Sequence, residues 1–353
     1  MPDALDSLPE WHPSRLAARL PALRDRARLL AATRSFFNLR GYTEIETPAL
    51  VPAPGMEVHL AAFRTAFRPL LGGADQPLWL RTSPELAIKR LLAGGAGPVF
   101  ELARVWRNGE VSSRHGPEFT MLEWYRPGAD LCSLMRETEA FLTAVLPARV
   151  RHGATATDLS GPFERLTVAE AFVRHCDGID ILATVDAAGA GDAAALREAA
   201  MRAGLPPRGE EGWEDLFFRL LLERIEPRLG QARPTFLTHW PAPQAALARR
   251  DPADPRVALR FELFVAGLEL ANAFDELTDA AEQAERFAHD VRERERLYGE
   301  GWPVDEDFLE ALRHGMPATA GIAMGFDRLA MLAAGTDSIE DTLWLGRWPY
   351  SRG

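Results

Sequence analysis

Apolar and polar residues along this chain follow two periods, and the changes between them mark the elements. From Ser14 to about Asn38 apolar residues recur at helical spacing and Gly41 closes the pattern, predicting a helix that Pro21 either kinks or delays to about Ala22. YTEIETP reads as a strand that must end at Pro48, and HLAAFRTAF as another after a stretch rich in Pro and Gly. SPELAIKRLLAGG carries helix signals: Ser83 as N-cap, Pro84 first, Glu85 in the first turn, glycine after the end. FELARVWR and EFTMLEWY both alternate, predicting a hairpin over roughly 98–125 whose polar tip, RNGEVSSRHGP, is longer than a tight turn needs.

A helix is predicted from about 131 to 146, and 150–232, rich in alanine and charge, reads as a mostly helical insertion. PTFLTHWP and RVALRFELFVAGLELANAF return to strand patterning, and TDAAEQAERFAHDVRERERL is a long charged helix. GIAMGFDRLAMLAAG is a strand that feeds directly into a helix. Strands grouped in antiparallel hairpins with helices outside predict an α+β fold, an antiparallel sheet flanked by helices. The strand-to-helix junctions contain neither GxGxxG nor GxxxxGK[ST], so the dinucleotide and P-loop readings have no support.

Length and composition narrow this picture. At 353 residues and 47% hydrophobic content the chain can bury a large core in one domain or two. No apolar run of eighteen residues exists, the first residues lack a signal-peptide pattern, and two cysteines (Cys132, Cys176) are too few for a disulfide framework or zinc cluster. A soluble cytoplasmic protein is expected, with no membrane partner. A net charge of −11 argues against broad nucleic-acid binding, although arginine, used far more than lysine, suits a local anion patch.

Three segments carry candidate chemistry. In the hairpin, Phe119, Met121, Glu123 and Tyr125 share a strand face, and a carboxylate is an odd choice there for packing alone. Arg107, His115 and Phe119 surround the tip, where an arginine can clamp a phosphate while a ring stacks on a base; taken alone, the pair is explained better by a surface arginine beside a core phenylalanine. GLELANAFDEL places Glu269, Asp275 and Glu276 among apolar residues, which needs a cationic substrate, a metal or a solvated edge to answer the charge. Strict alternation puts Glu269 opposite Asn272 and Glu276, so bringing them together requires a bulge. In GIAMGFDRL, Gly321, Ala323 and Gly325 form a nearly smooth strand face, and Arg328 in the first helical turn wants an anion. A glycine strand packed on a helix explains that segment as well.

In order and spacing these segments resemble the three motifs of class II aminoacyl-tRNA synthetases. GYTEIETP is similar to motif 1, WRNGE…RHGPEF to the motif 2 hairpin, and GIAMGFDRL to motif 3, while RTSPE, EFTMLEWY and ELANAFDELTDA are close to the lysyl branch. The resemblance runs from about residue 12 to 340, implying a single synthetase-like catalytic domain over 1–353. Only about forty residues precede motif 1, so no anticodon-binding domain is expected. The chain is therefore similar to the elongation factor P–β-lysine ligases, truncated paralogues of lysyl-tRNA synthetase. That family implies activation of (R)-β-lysine or lysine with ATP and Mg²⁺, transfer to a lysine side chain of elongation factor P, a homodimer, and no productive tRNA charging.

By this resemblance Arg107 holds the α-phosphate, His115 reaches the β- and γ-phosphates, and Phe119 stacks on adenine, with Asn108, Glu110, Leu270 and Gly325 beside the nucleotide. Glu269 holds Mg²⁺ with Asn272 next to it, and Arg328 faces the γ-phosphate or adenine, sharing the catalytic role with Arg107. Ser83, Glu85, Tyr125, Asn272, Glu276 and Ala323 line the amino-acid pocket. Three positions depart from the lysyl pattern: Gly109 replaces the glutamate that reads adenine, Gly116 replaces an asparagine, and Ala323 replaces a glycine, as in the ligases. Gly109 can let Glu110 swing to adenine if the strand has ended by Asn108. Two other functions fit the same residues: a small tRNA-charging or free amino-acid ligase, and a non-catalytic regulatory paralogue, which Gly109 and Gly116 favour.

Overall fold

The structure, a computed structural model, describes residues 8–345. The first helix, α1 (Pro13–Asn38), starts one residue before the expected Ser14: Pro13, which lacks an N–H to satisfy, sits in the first turn, and His12 caps it by accepting from the Ser14 amide at 3.3 Å. The helix runs through Pro21 as one element. Its buried Phe37 stacks on Phe100 at 4.9 Å and meets Trp124 and Phe141, fixing α1 across the main sheet.

The two strands expected before Ser83 are shorter than their apolar pattern implied. YTEIETP yields only β1 (Thr43–Glu44), because the Thr47 amide and hydroxyl bond the Glu101 carboxylate at 3.2 and 2.7 Å instead of a neighbouring strand. β2 (Leu50–Val51) follows, and HLAAFRTAF contributes only β3 (Arg64–Phe67), which pairs with β4 (Gln76–Leu80). Ahead of β3, Arg294 takes the Val58 and Leu60 carbonyls at 2.7 and 2.9 Å, and the Asn108 amide takes that of Ala61 at 2.7 Å.

α2 (Glu85–Ala93) begins where Ser83 accepts from the Glu85 amide at 3.1 Å. The long-tipped hairpin is β5 (Val99–Trp106) and β6 (Glu118–Pro127), followed by α3 (Leu131–Val145). The stretch 150–232 is helical from 168 onward, in α4 (Val168–His175), α5 (Ala193–Arg202) and α6 (Trp213–Leu220). Ahead of those helices lie β7 (Arg149–His152), β8 (Thr155–Asp158) and β9 (Glu164–Thr167), polar strands with too few apolar residues to announce themselves. Then come β10 (Thr235–Pro241), β11 (Val257–Val265), β12 (Leu268–Asp275), α7 (Ala280–Tyr298), α8 (Glu306–Gly315), β13 (Thr319–Gly325) and α9 (Phe326–Ala334).

The central sheet has eight strands in the order β1-β5-β6-β13-β12-β11-β10-β9, antiparallel except for the two edge pairs. Apolar residues of α1, α3 and α9 pack with those of the central strands in one cluster that covers one face of the sheet. Arg26 of α1 binds Asp327 of α9 at 2.6 Å and the Thr120 hydroxyl of β6 at 3.0 Å, so helix, helix and sheet lock where β13 gives way to α9. The opposite face is left open over its middle strands.

Candidate active site

Strand register decides what that open face presents. Val99, Tyr125, Gly321, Phe274 and Arg260 lie in one row across five strands, and Glu101, Glu123, Ala323, Asn272 and Glu262 in the next. Ala103, Met121 and Gly325 begin a third. Over them opens a cavity of about 420 Å³. It is lined by Ser83, Glu85, Arg107, Glu110, His115, Phe119, Tyr125, Glu269, Leu270, Asn272, Ala323, Gly325 and Arg328, so four segments distant in sequence share one space. Asn108 stays on the exposed tip, tied by its amide to Ala61, and Glu276 lies fully buried behind Gly321.

The bulge that Glu269 and Asn272 require is present. Glu269 pairs with Phe264 and Ala271 with Leu263, so Leu270 is an extra residue in β12 and the alternation flips across it. Glu269 and Asn272 therefore both reach the cavity, whereas Asp275 turns away to bind Arg249 at 2.6 Å. Gly321 is not the open floor its sequence suggests. A Cβ there would stand 2.2 Å from the Tyr125 ring and 2.4 Å from Glu276 Oε1, so the missing side chain makes room for those two groups.

One end of the cavity is built for anions. Arg107 and Arg114 have no ion-pair partner among the described residues, and Arg328 has only Glu269, at 3.8 Å. Arg328 donates to the Glu269 carbonyl at 2.6 Å and to His115 Nε2 at 2.6 Å, while His115 Nδ1 meets Ser112 Oγ at 2.8 Å. Burial, then the charges of Arg328, Arg114 and Arg107, hold the His115 value down to about 4, so a neutral imidazole accepts from the guanidinium. Arg107 sits 5.2 Å from the ring centre of the half-buried Phe119, a cation beside an aromatic face. β5 has ended at Trp106, and Gly109 adopts φ +85, the left-handed turn that lets Glu110 face the cavity.

The other end is acidic and buried. Glu123 is fully buried, with Oε2 accepting from the Tyr125 hydroxyl at 2.8 Å and Oε1 unpartnered among the described residues. Glu276 Oε1 is likewise unpartnered. Lys89, buried within α2, binds Glu85 at 2.6 Å and Glu276 at 2.5 Å, and these two carboxylates keep it charged against the cost of burial. Burial, then the field of Glu85, pushes Glu123 well above the usual carboxylate range. One buried cation against Glu57, Glu85, Glu123 and Glu276 leaves a surplus of carboxyl groups, to be answered by bound protons or by an added cation.

Sequence reading missed Lys89, Glu57, Arg114, Arg260 and Glu262. Lys89 had a signal: it shares the buried face of α2 with Glu85, Ile88 and Leu92, an ionic pair one helical turn apart on an otherwise apolar stripe. Arg260 bonds Asn272 Oδ1 at 3.0 Å and Glu262 at 2.5 Å, so the Asn272 oxygen already has a donor and Glu269 is the free oxygen ligand of that expected pair. Among the described residues no group of three His, Cys, Asp or Glu gathers closely enough to hold a metal alone. A hard cation at Glu269 would therefore take most of its oxygen ligands from a bound polyphosphate. The described cysteines, Cys132 and Cys176, are both free, and no described helix is long and apolar enough to cross a membrane.

The sequence matches the model of the class II tRNA synthetases (D, K and N) over residues 15–349. It is 42% identical over 335 residues to the elongation factor P–(R)-β-lysine ligase of Salmonella paratyphi B, covering 94% of this chain and 96% of that protein. The ligases of the same name from Salmonella schwarzengrund and Salmonella typhi match to the same extent.

Proposed function

The chain belongs to the class II tRNA synthetases (D, K and N), and from that premise we propose that it is an ATP-dependent, AMP-forming ligase that activates (R)-β-lysine or lysine and transfers it to a lysine side chain of elongation factor P. The observation that carries this reading is the polarity of this cavity: unpaired arginines at one end, surplus buried carboxylates at the other. A diamino acid matches it, carrying a carboxylate toward the arginines and ammonium groups toward the carboxylates. The relatives named for that reaction support the choice of substrate and acceptor.

The chemistry asks for positioning and charge. ATP lies with adenine against Phe119 and its phosphates among Arg107, Arg114 and Arg328. A substrate carboxylate oxygen attacks the α-phosphorus, the bond to the bridging oxygen breaks, and pyrophosphate leaves, giving the aminoacyl-adenylate. The acceptor amine then attacks the acyl carbon, loses a proton to solvent, and expels AMP to form an amide. Arg107 stabilises charge that builds on the α-phosphate, an effect worth two to three orders of magnitude in comparable sites, on the order of 10²–10³ in kcat. Bound Mg²⁺ would supply charge neutralisation on the phosphates, held by Glu269. We place the enzyme in the cytoplasm as a homodimer, with a protein amine as acceptor in preference to tRNA, which a net charge of −11 attracts little.

The test is incubation of purified protein with ATP, each lysine isomer and elongation factor P, read by intact mass. One added aminoacyl group on the factor is expected, with Arg107→Ala inactive but folded by circular dichroism. Pyrophosphate exchange without transfer to the factor, together with efficient charging of tRNA, would assign the activation step to a tRNA-charging enzyme instead.

A further inference from the structure

Glu57 stands apart from the motif segments, on the coil between β2 and β3, yet its side chain lines the cavity beside Ser83, Glu85 and Arg107. It also lines the small recess behind them with Gly55 and Met56, so it sits where the start of α2 meets the cavity wall. Its Oε2 is enclosed and has no hydrogen-bond partner among the described residues, and neither has the hydroxyl of the fully buried Thr82 beside it. A buried carboxylate oxygen with no donor costs more than a hydrogen bond contributes, and it persists where a ligand supplies the donor.

The segment is held in place from both sides. Arg294, stacked on Trp302 at 3.4 Å, donates to the Val58 and Leu60 carbonyls, and the Asn108 amide of the hairpin tip donates to Ala61. At Gly55 a Cβ would stand 2.3 Å from Glu57 Oε2 and 2.7 Å from Thr82 Oγ1, so only glycine lets the carboxylate lie where it does. Burial first and Glu85 second raise the Glu57 carboxyl, while Arg107 and Lys89 pull it back, which puts it between the acidic end and the phosphate clamp.

We propose that Glu57 is a specificity-determining residue that takes the ammonium group nearer the substrate's carboxylate, so that the cavity reads a diamino acid at both of its amines. The inference rests on the ligase reading above and adds a contact to it. The carboxylate must reach Arg107 to meet the α-phosphate, so an amine one or two carbons from it lies on the Arg107 side of the cavity. Glu57 feels the charge of Arg107 directly and Glu85 beside it is already bound to Lys89, whereas Glu123 and Glu276 flank Tyr125 and Gly321.

The experiment is ATP–pyrophosphate exchange by wild type, Glu57→Gln and Gly55→Ala with lysine, β-lysine and 6-aminohexanoate, which lacks the near amine. Glu57→Gln should raise KM for both diamino acids by about tenfold or more, the loss expected for a hydrogen bond between charged partners, with kcat moved less. KM for 6-aminohexanoate should stay as in wild type, and Gly55→Ala, which displaces the carboxylate without removing it, should reproduce the selective loss. An equal loss on all three substrates, or none, overturns the assignment while the ligase reading stands. Absence of exchange by wild type with every substrate overturns both.

Discussion

His115 accepts a hydrogen bond from Arg328 across the mouth of the cavity, at 2.6 Å between Nε2 and the guanidinium. A hairpin-tip residue and a helix residue more than two hundred positions later thus form one unit, and the histidine acts as an acceptor. His115→Ala should therefore raise KM for ATP by about tenfold, the cost of a lost hydrogen bond to a charged donor, and His115→Gln should recover part of it through its amide oxygen. Exchange kinetics on the two variants check this. The linkage has a definite sign. The folded value lies near 4 and the unfolded one at the usual 6.5, so as pH falls the unfolded chain takes the proton first. The stability from this group is complete above pH 6.5 and is lost toward pH 4. Urea midpoints of His115→Gln should accordingly fall less steeply over that window than those of wild type.

Ala323 stands between Glu123 on one neighbouring strand and Asn272 on the other, and its methyl faces the cavity. Ala323→Gly deepens the floor beneath the substrate's amine-bearing carbons. The ratio of kcat/KM for α-lysine over β-lysine should rise by about tenfold to a hundredfold, the range that one methyl controls in a close-fitting pocket. Competition between the two amino acids in pyrophosphate exchange measures the ratio directly, and an unmoved ratio removes Ala323 from the pocket.

Much of this was legible in sequence because strand alternation and helix signals are local. The face bearing Phe119, Met121, Glu123 and Tyr125, the turn into α9 at Arg328, and the α+β arrangement all followed from spacing. The need for a bulge between Glu269 and Asn272 was also visible; that Leu270 supplies it depends on the register of β11, which no single segment specifies. Glu57 was hidden, and Lys89 only half visible on its apolar helix face, for a different reason. Their roles come from partners far along the chain, Glu276 for one and the Arg294 clamp on the following carbonyls for the other. β9 was missed because Glu164–Thr167 has almost no apolar pattern of its own and is a strand by virtue of pairing with β10.

Glu110 follows a glycine in the left-handed region, where any side chain would be strained although the space around Gly109 is open. That turn brings Glu110 to the cavity after the strand has ended, and we expect it to accept from the exocyclic amine of adenine. Glu110→Ala should raise KM for ATP by roughly tenfold or more and weaken the preference over GTP, whose carbonyl a carboxylate repels. Gly109→Ala should produce a similar defect by disfavouring the turn, with the carboxylate still present. Unchanged nucleotide preference in both variants would leave Phe119 and backbone groups as the adenine site.

Glu123 is the carboxyl whose charge state substrate binding should change. It is fully buried, Glu101 stands directly opposite it in β5, and Arg81 answers Glu101 at 2.9 Å, leaving Glu123 no cation of its own. Burial first, then the field of Glu85 and, across the strand pair, that of Glu101 raise the Glu123 carboxyl well above the usual carboxylate range in the free enzyme. An ammonium group delivered to Oε1 lowers the carboxyl again and favours its ionised form. Binding of lysine or β-lysine should therefore release protons wherever the free carboxyl is still protonated, seen as a binding heat that differs between phosphate and Tris in calorimetry. Glu123→Gln should bind more weakly and release none from this site. The stability linkage runs opposite to that of His115: a carboxyl raised by folding contributes fully below its unfolded value near 4.3, and the contribution is lost as pH rises through the folded one. Glu123→Gln should therefore lose less stability than wild type as pH rises above about 4.3 without substrate. A binding heat independent of buffer would mean that Glu123 is already ionised in the free enzyme, and Lys89 would then have to serve it as well as Glu85 and Glu276.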